Sequence, residues 1–143
     1  MELTSMRELK DFPLQAYDKL RYGDTDRQGH VNNSVFSTFL ETGRVEMLYT
    51  KGESLVPEGA TFVLAKLEVQ LIGEILWPGQ VDIGSGVLNI GNSSITLYQQ
   101  LFQNGTCVAK AETVIVQMNE ATRKSQPLSP DVKKTLEQYL ISV

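Results

Sequence analysis

Residues 22–48 read YGDTDRQGHVNNSVFSTFLETGRVEML, and this stretch decides the fold. In its second half, Val35, Phe36, Phe39, Leu40, Gly43, Met47 and Leu48 fall at helical spacing. Asn32, Asn33 or Ser34 can cap that helix, and Gly52 after Lys51 stands where its C-terminus is expected. The apolar face is broad, with Glu41, Arg44 and Glu46 on the remainder, as in a helix largely covered by other structure. The first half is a Gly/Asp-rich loop that runs directly into this helix.

Working outward, the period changes on both sides. Residues 14–22 alternate loosely and predict a first strand. Downstream, Val63, Ala65, Leu67, Val69 and Leu71 alternate with Leu64, Lys66, Glu68 and Gln70, a half-buried strand. Trp77-Pro78-Gly79 signals a turn. Val81, Ile83 and Val87 open the next strand, with Gly84 and Gly86 read as a bend or bulge. Gly91-Asn92-Ser93 is a second turn, and residues 95–102 are a strand. Asn104-Gly105 is a strong hairpin signal. Residues 107–118 are apolar on both faces at several positions, which predicts a central strand. Ser129 as cap and Pro130 at the first position open a final helix with Val132, Leu136, Tyr139 and Leu140 on one face. The expected order is strand, long helix, four strands, short helix: an α+β fold with a mostly antiparallel sheet and one long helix against it.

Composition narrows the function. The 143 residues suit one domain with a real core, and no repeat, linker or low-complexity tract divides them, so residues 1–143 are read as a single domain. A net charge of −4 disfavours nucleic acid as a partner. The lone Cys107 cannot form an internal disulfide or a thiolate metal site, and the lone His30 removes multi-histidine metal sites, so no metal is expected. No apolar run approaches the ~20 residues of a membrane-spanning helix, and none near the N-terminus resembles a signal peptide. The expectation is a cytoplasmic protein without membrane partners.

Chemistry concentrates in residues 22–33, where two carboxylates, one imidazole and three side-chain amides precede a helix start. A helix N-terminus offers unpaired N–H groups and partial positive charge that can polarise a carbonyl and stabilise an oxyanion. A carboxylate beside it can act as nucleophile or as general base toward water. These residue types in this placement point to acyl transfer or hydrolysis. For Asp24 a backbone-bonding role in the turn is the expectation, and Asn32 and Asn33 read first as caps. Glu41 and Arg44, three apart, can pair; a buried Glu41 facing the site is the alternative. Cys107 reads as a small packed hydrophobe.

Asp24-Thr25-Asp26 with Gly29, leading into the helix, resembles the signature of hotdog-fold thioesterases of the 4-hydroxybenzoyl-CoA thioesterase type. The run His30-Val31-Asn32-Asn33 followed by Phe36 is similar to the acyl-ACP thioesterase branch, which has tyrosine at the position of Phe36 and asparagine at that of Gln28. Residues 90–97, 109–117 and 123–128 resemble the family's third-to-fourth strand turn, closing strand and tail, and the likeness spans roughly residues 14–140. The resemblance implies a strongly curved five-stranded antiparallel sheet wrapped around a long central helix. It implies homodimers or homotetramers with sites at subunit interfaces. It implies hydrolysis of acyl-CoA or acyl-ACP thioesters without a cofactor beyond the carrier that enters with the substrate. Asp26 falls on the catalytic aspartate, His30 on a positioning histidine, and Asn33 on the carbonyl-polarising N–H. Gln28, Gly29, Asn32, Gly91 and Ser93 are the expected substrate-binding positions. A non-catalytic acyl-CoA binder on the same fold is the competing class. A basic patch for an acidic carrier protein would need Lys66, Lys110, Arg123 and Lys124 to cluster.

Overall fold

A computed structural model describes residues 7–26, 29–50 and 54–142. The elements follow the expected order: β1 (Leu14–Lys19), α1 (Phe36–Val45), β2 (Ala60–Leu71), β3 (Gln80–Ile90), β4 (Ser94–Gln103), β5 (Thr106–Asn119) and α2 (Pro130–Glu137). The five strands form one antiparallel sheet in the order β1-β3-β4-β5-β2, with β5 interior as its two apolar faces predicted. Helix α1 lies against β1, β3 and β4, the hotdog arrangement.

The long helix is three segments rather than one. A 3-10 turn, Asn33–Val35, leads into α1, and a π turn, Glu46–Thr50, follows it. The expected terminus at Lys51 and Gly52 lies outside the described residues. Phe36, Phe39 and Leu40 pack with Leu20, Ile75, Val81, Ile83 and Leu101 in one cluster; Met47 and Leu48 pack with Val87, Ile95, Leu97, Ile115 and Leu136 in another. Arg44 is 8% exposed while Glu41 is exposed, and no ion pair joins them among the described residues. Burial pulls the Arg44 guanidinium below its usual range, and Glu41 acts against that.

Four other expectations shift. The first strand ends at Lys19 rather than running to residue 22, because Leu20 turns inward, its N–H donating to Gly79 O, and the chain winds into a 3-10 turn, Tyr22–Asp24. In β2 a bulge between Leu64 and Lys66 breaks the alternation, leaving Ala65 and Leu71 exposed on an edge strand. In β3 the bulge falls at Leu88, between Val87 and Asn89, and not at the glycines. Gly84 instead makes room for the Phe12 ring and Gly86 for Ile141. Ser129 caps α2 as read, its Oγ accepting from Val132 N–H at 3.2 Å, but the helix stops at Glu137. Residues 139–141 then run beside Val87, which leaves Leu140 exposed.

The back of β4 carries a third cluster that no local pattern announced. Phe12, Tyr98 and Phe102 pack there with Leu9, Cys107 and Ile141. The Gln100 side chain pairs with the Arg7 backbone as a neighbouring strand would, Arg7 N–H donating to Oε1 and Nε2 donating to Arg7 O, both at 3.0 Å. Burial pushes the Tyr98 phenol up to about 12, so it remains the donor to Gln100 Oε1 at 2.9 Å. Cys107 packs as expected, its Sγ bonded to Gln100 Nε2 and Ala109 O, and burial raises the thiol against both bonds. A raised thiol does not suit a nucleophile.

Candidate active site

The loop before α1 is closed by its own backbone. Asp26 N–H donates to His30 O at 2.8 Å, and His30 N–H donates to Asp26 Oδ1 at 3.2 Å. Gly29 takes φ +77° at the tip, the left-handed conformation that favours glycine. Arg27 and the expected substrate-binding Gln28 lie outside the described residues. The two legs of the loop run side by side: Thr25 bridges Val31, and Asn32 N–H donates to Asp24 O at 2.8 Å. Asp26 and His30 are thereby held at the exposed end, with Asn33 one residue past the paired legs.

Asp24 does the turn-forming work anticipated for it. It is buried, and its Oδ2 accepts Arg21 N–H at 3.0 Å and approaches Arg21 Nε at 3.5 Å. Asp24→Ala removes this cap and lowers stability by about 1 kcal/mol, read as a shift in urea midpoint.

Asn32 is the cap of the 3-10 turn, its Oδ1 accepting both the N–H and the hydroxyl of Ser34 at 3.1 Å. Val35 N–H bonds Asn32 O and Phe36 N–H bonds Asn33 O. Asn33 is exposed, and among the described residues no acceptor meets its N–H. That leaves a donor at the helix start available to a carbonyl oxygen.

The loop is docked on the β2–β3 connection. Val31 N–H donates to Ile75 O at 2.8 Å, Trp77 N–H to Gly29 O at 3.1 Å, and His30 forms an isolated bridge with Leu76. The docking brings in Glu74, whose Oε1 lies 3.6 Å from His30 Nδ1. It also brings Trp77 edge-on to Tyr22 at 5.4 Å. Glu74 stands 44 residues along the chain from His30 with no local motif around it, so only the tertiary docking reveals it.

Gly91 and Ser93 do not join this group within one protomer. They follow β3, while the loop docks just ahead of β3, so the strand's 11 residues, roughly 35 Å, separate them. Their backbone is engaged locally: Gly91 N–H bonds Ser94 O, and Ser93 O accepts Gln117 N–H. The four basic residues also fail to gather. Lys66 is paired to Glu68 and Glu112, Lys110 is buried, and Arg123 and Lys124 lie beyond the end of β5, roughly 30 Å from Lys110. Between α1, the π turn and β2 lies a cavity of about 170 Å³ lined by Arg44, Leu48, Tyr49, Phe62, Val63 and Ile115. Among the described residues, no group of three His, Cys, Asp or Glu could hold a metal ion, and no helix is long and apolar enough to cross a membrane.

Comparison with known proteins agrees with this architecture. Residues 20–136 match the family profile of the thioesterase-like superfamily. The acyl-CoA thioester hydrolase YbgC of Escherichia coli is 23% identical over 125 residues, covering 85% of this chain and 90% of that protein. A thioesterase from Thermus thermophilus, solved with coenzyme A and zinc, is 27% identical with TM-score 0.76, covering 87% of this chain and 98% of that one. A structure described as a predicted thioesterase from Bacillus stearothermophilus is 25% identical with TM-score 0.79, covering 91% and 98%.

Proposed function

The chain belongs to the thioesterase-like superfamily and is a thioesterase, and from that premise we propose that its substrate is an acyl-CoA thioester cleaved at the Asp26 loop. The observation that carries this reading is the family match across residues 20–136, within which lie the loop, Asp26, His30 and the start of the helix. The thioester carbonyl rests against the Asn33 N–H. Asp26 either attacks the carbonyl carbon or takes a proton from the water that does. In the direct route water forms the new C–O bond of the acid as the C–S bond breaks. In the nucleophilic route Asp26 forms it first, as an acyl-aspartyl anhydride that water then opens. In both, the CoA thiolate leaves with its electron pair and is protonated. Gly29 and Asn32 shape the loop that receives the thioester, Gln28 lies in the same loop sequence, and no cofactor is required. The similarity to YbgC supports CoA as the carrier.

The reading includes a homodimer or homotetramer. The edge strand β2 and the outer face of the helix expose Leu64, Leu71, Val45 and Tyr49, apolar surface that a second copy would cover. A neighbouring subunit is also what could bring a Gly91–Ser93 turn toward an Asp26 loop. A cytoplasmic location goes with this reading and rests on the lone cysteine.

The test is thiol release from a panel of short, long, branched and aromatic acyl-CoA thioesters. Hydrolysis of at least one class above the uncatalysed rate is the expected result. If every CoA ester is inert while acyl-ACP is cleaved, the carrier assignment falls. If both are inert and acyl-CoA still binds, the chain is a binder and the hydrolytic reading falls.

A further inference from the structure

We propose that Glu74 is a positioning residue for His30, fixing which ring nitrogen carries the proton and which is offered to the reaction; this rests on the hydrolytic reading of the Asp26 loop. Both partners sit on immobilised backbone. His30 is held by its two backbone hydrogen bonds to Asp26, and its neighbours Gly29 and Val31 are bonded to Trp77 and Ile75. On the other side, Ile72 and Gly73 donate to Val108 O at 2.9 and 3.0 Å. The Gln103 amide grips Leu76 through both backbone groups, at 2.9 and 2.7 Å. Ile75, between them, is fully buried. The backbone that carries Glu74 is thereby fixed relative to the loop, and its side chain, 66% exposed, places Oε1 3.6 Å from His30 Nδ1.

Among the described residues, the acidic groups beside His30 are Asp26 from its own loop and Glu74 from the β2–β3 connection. Asp26 Oδ1 accepts the His30 backbone N–H, while Glu74 Oε1 lies beside Nδ1 of the ring. A neutral imidazole has one donor and one acceptor nitrogen, and the partner of the donor selects the tautomer. With Nδ1–H turned to Glu74, Nε2 becomes an acceptor that can hold the attacking water. The 3.6 Å separation exceeds hydrogen-bonding distance by a few tenths of an ångström, and catalytic hydrogen bonds commonly tighten when substrate binds.

The chain contains one histidine, so its ring nitrogens give an unambiguous ¹⁵N NMR signature. The wild type is expected to show mainly the Nδ1–H tautomer and Glu74→Ala mainly Nε2–H. Glu74→Gln, whose amide oxygen still accepts, keeps the wild-type pattern. On the best acyl-CoA, kcat falls about 10-fold in Glu74→Ala with KM within about twofold, a fraction of what losing the acid–base group itself costs, and Glu74→Gln restores most of it. The same tautomer in wild type and Glu74→Ala overturns the proposal, and so does a changed tautomer with unchanged kcat. If the wild type cleaves no thioester yet the tautomer switches as expected, the positioning of the ring stands and the hydrolytic reading is what fails.

Discussion

Asp26→Asn hydrolyses acyl-CoA about 100-fold or more slowly than wild type, with fold and assembly intact, the scale set by losing a positioned acid–base or nucleophilic group. The substitution isolates chemistry from architecture. Two roles of Asp26 in the loop are separable: its Oδ1 accepts the His30 N–H, and its carboxylate supplies negative charge at the exposed end. An asparagine Oδ1 still accepts that hydrogen bond, so the loop stays closed, while an amide is neither a base nor an effective nucleophile. Asp26→Ala is the contrasting variant, because it removes both roles and loosens the loop. Thiol release under saturating substrate reads the chemical loss, and the urea midpoint reads the structural one. A full rate in Asp26→Asn would remove Asp26 from the mechanism while leaving the family membership untouched. If the loss is seen, single turnover in ¹⁸O-water identifies one route when positive: label in the Asp26 carboxylate requires an acyl-aspartyl anhydride opened at the aspartyl carbon, whereas label in the acid alone is given both by direct attack of water and by opening at the acyl carbon.

Much of this architecture is legible in the sequence because its signals are local. Phe36, Phe39, Leu40, Met47 and Leu48 recur at helical spacing and are all buried, so the period that predicts the helix is also its packing face. Asn104 and Gly105 both take positive φ, 52° and 80°, and their residue types announce that turn without tertiary help. Asp24 is assignable to the turn because its partner, Arg21, is three residues away. The misread features involve distant partners. Gly84 and Gly86 look like bends in β3, yet the chain needs them where Phe12 and Ile141 cross the back of the sheet, some 70 and 55 residues away in sequence. Alternation in β2 looks uniform along the chain, but a bulge at Leu64–Lys66 and an edge position undo it. For the site, residue types place the chemistry in one loop. What they cannot supply is the surface the loop docks against, and so neither Glu74 nor the distance from Gly91 and Ser93 is visible in them.

Gly43→Ala tests whether the helix that presents this loop is seated by close contact with the sheet. A Cβ at Gly43 would lie 2.7 Å from Gln99 Nε2, 2.7 Å from Ile83 Cγ2 and 3.0 Å from Ser85 Oγ. None of these atoms can retreat cheaply. Ile83 and Gln99 are fully buried, and Gln99 Nε2 is committed to Leu40 O and Ser85 Oγ, both at 3.0 Å. Moving it would free the Leu40 carbonyl and leave the amide, whose Oε1 already has no hydrogen-bond partner, further unsatisfied. Two effects oppose one another: alanine gains about 1 kcal/mol over glycine in a helix interior, and overpacking of this kind costs about 3 kcal/mol. The steric cost wins, and the variant should lose about 2 kcal/mol, measured as a lower urea midpoint at unchanged slope. Gly23→Ala is the control, since a Cβ there meets nothing within 4 Å and its φ is not positive, so stability rises by about 0.5 kcal/mol through the unfolded chain alone. The helix can escape the overlap only by lifting from β3 and β4, which moves Asn33 at its start relative to Glu74 and Leu76 on the sheet side. Thioester hydrolysis therefore falls together with stability in Gly43→Ala, whereas a destabilised variant with full turnover would mean that the loop holds its geometry independently of the helix behind it.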